Sequence, residues 1–134
     1  SKEKVVFDEQ AQQDALTGWK QYFNSSSSTL FHEQFEVLVE LSKIFKQSHN
    51  RLIIVDLPIP TWHMEGSEQF KKYQQVKINY LKDICNLEQV KYVNLQHMSN
   101  NDAFYDSTHP LPSVSKLWSQ QFYEKIRFFL KTVD

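Results

Sequence analysis

Two stretches of this sequence restrict its fold more than any other feature. Arg51-Leu-Ile-Ile-Val-Asp-Leu57 is a nearly continuous apolar run rich in β-branched residues, and Val90-Lys-Tyr-Val-Asn-Leu95 is a second. A strand buried on both faces, as in a parallel sheet, has this character. Pro58 and Pro60 stop the first run, since neither can donate to a ladder. Between the runs, Glu68 to Asn86 has helical periodicity. Phe70, Tyr73, Lys77 (through its stem), Tyr80, Leu81, Ile84 and Cys85 fall on one face, and Lys71, Lys72, Lys82 and Asp83 on the solvated one. Strand, helix and strand over Arg51 to Leu95 predict a right-handed βαβ crossover.

Helices flank this unit. Leu30 to Gln47 places Phe31, Phe35, Leu38, Val39, Ser42 and Phe45 on one face, with Glu33, Glu36, Glu40 and Lys43 opposite. After a loop from Gln96 to Pro112, Ser113 is the expected cap of a last helix reaching about Lys131. Its inward face is Val114, Leu117, Trp118, Phe122, Ile126, Phe129 and Leu130. Towards the N-terminus, Val5-Val6-Phe7 suits a short strand, and Ala11, Ala15, Leu16, Trp19 and Tyr22–Phe23 a helical stripe. Ser25-Ser-Ser-Ser28 reads as a loop ending in a helix cap. The order α–β–α–β–α predicts an α/β fold, a flavodoxin-like arrangement with a small parallel sheet of two to three strands packed by helices. Size argues for a single domain over 1–134, with 1–28 the least determined part.

Composition removes whole classes of function. Only two of the 134 residues are glycine, where average usage implies roughly nine or ten. With Gly18 and Gly66 far apart, no dinucleotide or phosphate loop and no Gly-x-Ser-x-Gly elbow can be written. Fifteen Lys and Arg balance sixteen Asp and Glu, for a net charge of −1, so no field of one sign advertises nucleic acid. Lys71, Lys72, Lys77 and Lys82 are interleaved with Gln74, Gln75, Asn79 and Asp83, which suits a solvated helix face rather than a nucleic-acid surface. No apolar run is long enough for a membrane span, Ser-Lys-Glu-Lys is no signal peptide, and Cys85 has no partner for an internal disulfide.

In an open parallel sheet the working loops lie at the carboxyl ends of the strands, here residues 58–67 and 96–112. The second is dense in proton-transferring and hydrogen-bonding groups. Asp106 and His109 are separated by two residues in a turn-forming stretch. That spacing lets the carboxylate bond one imidazole nitrogen, fixing the tautomer and aiming the other nitrogen outward as a general base. The same pattern suits a turn capped by Asp106, with His109 a surface residue before Pro110. The residues alone leave both uses open.

Tyr105-Asp-Ser-Thr-His-Pro110, leading into Lys116-Leu-Trp-Ser119, resembles the final block of SGNH (GDSL-type) hydrolases. The closer likeness is to the D-alanine-transfer (DltD-type) cell-envelope branch. That branch has an apolar strand ending in a proline-rich turn with Trp, here Leu57-Pro-Ile-Pro-Thr-Trp62, then a Tyr-bearing helix, a second strand, an Asp-x-x-His loop and a Trp-containing last helix. The resemblance covers about Ser25 to Leu130. It implies His109 as the base and Asp106 as its orienting acid in a serine ester hydrolase or O-acyltransferase, acting on an acyl ester or glycan of the cell envelope. The family's Gly-Asp-Ser nucleophile block and its oxyanion glycine have no counterpart here. The chain is therefore expected to be the C-terminal half of such an enzyme, inactive alone, with the serine supplied from upstream. The alternative is a non-catalytic α/β interaction domain, its open side covered by a partner or a second copy. An extracytoplasmic location follows from the resemblance only, with any membrane attachment through an anchor outside this chain.

Trp62, His63 and Tyr105 are the candidate substrate-contacting residues, Trp62 serving equally as a lid over the sheet edge. Ser67, beside Gly66, is better placed as a helix cap than as a nucleophile. Ser107, inside the Asp-x-x-His block, is expected to point away from the base. His63, Glu65, His97, Asp102, Asp106 and His109 could in principle converge on a metal. None has the spacing of a helical zinc motif, and we expect neither metal nor cofactor.

Overall fold

The computed structural model describes residues 8–24 and 30–131. The expected strand at Val5–Phe7 and the serine loop lie outside them. The elements are α1 (Glu9–Asn24), α2 (Leu30–Gln47), β1 (Leu52–Asp56), α3 (Trp62–Glu65), α4 (Glu68–Ile84), β2 (Val90–Asn94) and α5 (Pro112–Lys131). The fold is α/β, with β1 and β2 pairing in parallel and Ile54 opposite Tyr92. The sheet among the described residues has two strands.

The two faces of the sheet have different partners, because side chains alternate along a strand. Ile53, Val55 and Val93 pack with Leu95, Phe104, Trp118 and Ile126, so this face rests on α5 and the loop before it. Asp56 and Tyr92 lie on the other face, where Asp56 meets Lys77 of α4. At the start of β1, the Arg51 guanidinium donates to the Phe129 carbonyl and lies 5.0 Å above that ring.

Several expectations are corrected. All five β1 residues are half-buried rather than buried on both faces; among the described residues only β2 pairs with the strand. Gln74 and Lys77 are buried at 7% and 9% exposure, so they do not belong to a solvated helix face. The last helix starts at Pro112, whose missing N–H costs nothing at a first helical position; Ser113 lies inside the first turn rather than capping it. Leu117 and Leu130 are exposed, because the narrow sheet covers only the Val114, Trp118, Phe122, Ile126 stripe. The loop after β1 contains α3, and the loop after β2 opens with two short 3-10 turns.

Ser67 caps α4, its hydroxyl accepting from the Phe70 amide at 3.1 Å. The helix α1 presents Ala11, Ala15, Leu16, Trp19, Tyr22 and Phe23 as its half-buried stripe. It packs tightly over Gly66, where an added Cβ would stand 2.7 Å from Leu16. One of the two glycines is thus fixed by a close approach.

Candidate functional site

The loop after β2 is shaped from its base upward. Phe104 is buried and lies 5.7 Å from Trp118, centroid to centroid. The Leu111 amide donates to the Ala103 carbonyl at 2.8 Å, and the Tyr105 amide to the His109 carbonyl at 3.1 Å. These bonds close the loop on a short antiparallel bridge between Phe104 and Pro110. Residues 105–109 form its tip.

At the tip, Asp106 holds three hydrogen atoms at once. Its Oδ1 accepts from the backbone amides of Thr108 (2.8 Å) and His109 (2.7 Å). Its Oδ2 lies 2.8 Å from His109 Nδ1. Partial burial pushes the Asp106 carboxyl up, but the Thr108 and His109 amides and the imidazole outweigh it and hold the carboxyl below its ordinary range. An ionised carboxylate only accepts, so Nδ1 carries the proton, and in the neutral ring Nε2 presents a lone pair. Nε2 has no hydrogen-bond partner among the described residues. The imidazole is 64% exposed, and Tyr105 stacks on it at 5.8 Å with the planes 16° apart. Asp106 therefore caps the turn and contacts the His109 imidazole at the same time.

His63 lies beneath the same loop. The Trp19 indole N–H donates to His63 Nδ1 at 2.9 Å. Indole nitrogen can only donate, so Nδ1 is the acceptor and the proton sits on Nε2. That Nε2–H donates to the Ser107 carbonyl at 2.6 Å. Burial lowers the His63 pKa, partly offset by the Ser107 bond. With both nitrogens engaged and 2% exposure, His63 tethers α1 to the loop rather than presenting an open edge. Trp62 stacks on it at 3.7 Å. The loop after β1 is tied to the loop after β2 elsewhere too, with Thr61 donating through N and Oγ1 to Asn101 Oδ1 at 2.9 and 3.0 Å.

Ser67 is engaged in its cap, and Ser107 Oγ makes no hydrogen bond to His109 among the described residues. The Thr108 hydroxyl lies 3.4 Å from Nδ1, the nitrogen already given to Asp106. Among the described residues no three or more His, Cys, Asp or Glu side chains are grouped to hold a metal ion; His63, Glu65, His97, Asp102, Asp106 and His109 do not converge.

A second polar cluster escaped the sequence reading. Asp56, at the carboxyl end of β1, receives Lys77 Nζ at 2.7 Å and the Tyr92 hydroxyl at 2.7 Å, both on Oδ2. Burial first, and the bond to Asp56 second, raise the Tyr92 hydroxyl far above its usual range. The signal was present: Phe70, Gln74, Lys77, Leu81 and Ile84 alternate four and three residues apart, a core stripe with two polar members. A cleft of 460 Å³ borders this cluster, and Thr108 is among its lining residues. Another of 380 Å³ lies between α1 and the loop tip, lined by Trp19, Tyr22, His63 and Thr108 among others.

Comparison of the chain with protein-family models, curated proteins and solved structures finds no match.

Proposed function

We propose that this chain supplies the base and its orienting acid to an acyl-ester hydrolase or O-acyltransferase site of SGNH type. The observation that carries the reading is the 2.8 Å contact of Asp106 Oδ2 with His109 Nδ1, with Nε2 left open. In this reading a serine hydroxyl from residues preceding this chain gives its proton to Nε2 as its oxygen attacks the ester carbonyl. Asp106 stabilises the imidazolium, and Nε2–H then passes the proton to the departing alkoxide. Water or an acceptor hydroxyl repeats the cycle in reverse and releases the acyl group. A cell-envelope setting rests on resemblance alone; among the described residues no helix is long and apolar enough to cross a membrane.

The test is labelling by a fluorophosphonate ester in the protein as the cell makes it. Modification of one serine before Ser1, lost in His109→Ala, supports the reading. Absence of a labelled serine, or labelling that His109→Ala leaves intact, overturns it.

A second reading, a non-catalytic interaction domain, is favoured by one observation. Val37 and Ile44 on α2 are 68% and 57% exposed, with Leu41 between them. Such an apolar stripe is a surface for another chain or a second copy. Self-association of the purified chain that Val37→Glu abolishes, together with an unlabelled serine set, favours this reading over the first.

A further inference from the structure

The 460 Å³ cleft beside Asp56 is not isolated. A second cleft, of 480 Å³, runs from Thr61 and Met64 past Lys71, and the two share Ile59, Phe70, Gln74 and Gln96 as a common wall. Each is of the size that holds a small molecule. Gln74 stands in that wall at 7% exposure. Its only hydrogen bond among the described residues is a long one, 3.5 Å from Gln96 Nε2 to its Oε1, so its own amide N–H groups are unspent. For so buried a residue the open direction is the cleft it lines. Asp56 crowds both of its donors onto Oδ2 and leaves Oδ1 without a partner among the described residues. Lys77 Nζ faces Asp56 Oδ2 as its ion partner at 2.7 Å.

The ligand chemistry follows from these spare groups and the walls. Trp19 and Tyr73 are half-buried, pack on the buried Phe70 at 4.8 and 5.9 Å, and give the cleft aromatic walls. Asp56 and Lys77 cancel in charge. A cation entering here meets Lys77, an anion meets Asp56, and either gives up hydration for no net opposite charge. A plain hydrocarbon chain would leave Gln74, Lys77 and Asp56 Oδ1 desolvated and unpaired, at a cost of about 1–3 kcal/mol for each such group. An uncharged polyhydroxylated ring meets every requirement: its C–H faces lie on the aromatic walls, and each hydroxyl both donates and accepts.

We propose that the cleft beside Asp56 binds an uncharged polyhydroxylated ring, a pyranose or a cyclitol, with Gln74, Lys77 and Asp56 Oδ1 reading its hydroxyls. The binding stands without the chemistry at His109. Only its purpose, holding the ring whose ester meets the base next to Thr108, rests on the acyl-transfer reading.

The test is nuclear magnetic resonance on the 134-residue chain, following the Gln74 side-chain amide and the Trp19 indole. The probes are methyl β-D-glucopyranoside, methyl β-D-galactopyranoside and myo-inositol, with hexanol, hexanoate and hexylammonium as contrasts. The expected result is saturable movement of Gln74 with at least one polyol. That binding weakens about tenfold in Gln74→Leu. Gln96→Leu serves in its place if Gln74→Leu does not fold. Saturation by the contrasts alone, no movement with any polyol, or binding indifferent to both Gln variants overturns the proposal. Loss of serine labelling leaves this result untouched, so the two claims fail separately.

Discussion

The Trp19 indole donates to His63 Nδ1 at 2.9 Å, and this one bond settles the state of a buried histidine. A protonated imidazole has no acceptor nitrogen, so charging His63 breaks the bond to Trp19 and places a cation at a 2%-exposed position. Its folded pKa is therefore lowered, burial being the main cause. The unfolded chain binds the proton more readily, so stability from this group is full above the ordinary imidazole value of 6.5. It declines as pH falls below that value towards the folded pKa. Denaturant unfolding from pH 7.5 to 5 will show this decline, and it will be absent in His63→Phe. His63→Ala, which orphans the Trp19 N–H and the Ser107 carbonyl, should cost about 2–4 kcal/mol.

Asp56 and Lys77 form a pair with side chains 12% and 11% exposed. Removing one partner leaves a buried charge, so Asp56→Leu or Lys77→Met should each cost about 3–5 kcal/mol. The double variant Asp56→Leu with Lys77→Met should recover most of that loss, since a well-packed apolar pair replaces the ions. Urea midpoints for the four proteins measure the coupling. Additive losses in the double variant would deny the pairing.

Asp106 sets the tautomer of His109. In the native protein, nitrogen shifts of the His109 ring should report the proton on Nδ1, and Asp106→Ala should return the ring to a mixture dominated by Nε2–H. The Thr108 and His109 amides should exchange faster in that variant, having lost their shared acceptor. The depressed carboxyl pKa of Asp106 also means its support of the loop is complete above the ordinary value of 3.8 and lost as pH falls below it. Amide exchange across that range gives the check.

The strands and helices were legible because their signals are local. Leu52-Ile-Ile-Val is a β-branched run that two prolines end, Ser67 stands one residue before Glu68, and α2 begins and ends where its periodicity does. The contact of Asp106 with His109 was legible for the same reason, three residues apart within one turn. What the sequence hid was non-local. Lys77 and Asp56 meet only because the crossover lays α4 on the sheet face that Asp56 shares with Tyr92. Trp19 and His63 meet because α1 crosses Gly66. A lysine on a helix reads as solvated until its partner on a strand is known. Leu117 and Leu130 fall on the apolar face of their helix yet are exposed, because periodicity reports an apolar face but not the width of the surface available to cover it.

The most direct test of the central claim is acetyl-ester turnover by the protein as the cell makes it, beside the 134-residue chain alone. The account predicts no serine-dependent turnover by the chain alone. It also predicts that His109→Ala in the natural protein lowers kcat by about 10⁶-fold, with KM nearly unchanged. Turnover by the isolated chain that His109→Ala abolishes, or full turnover by the natural protein without His109, would contradict it.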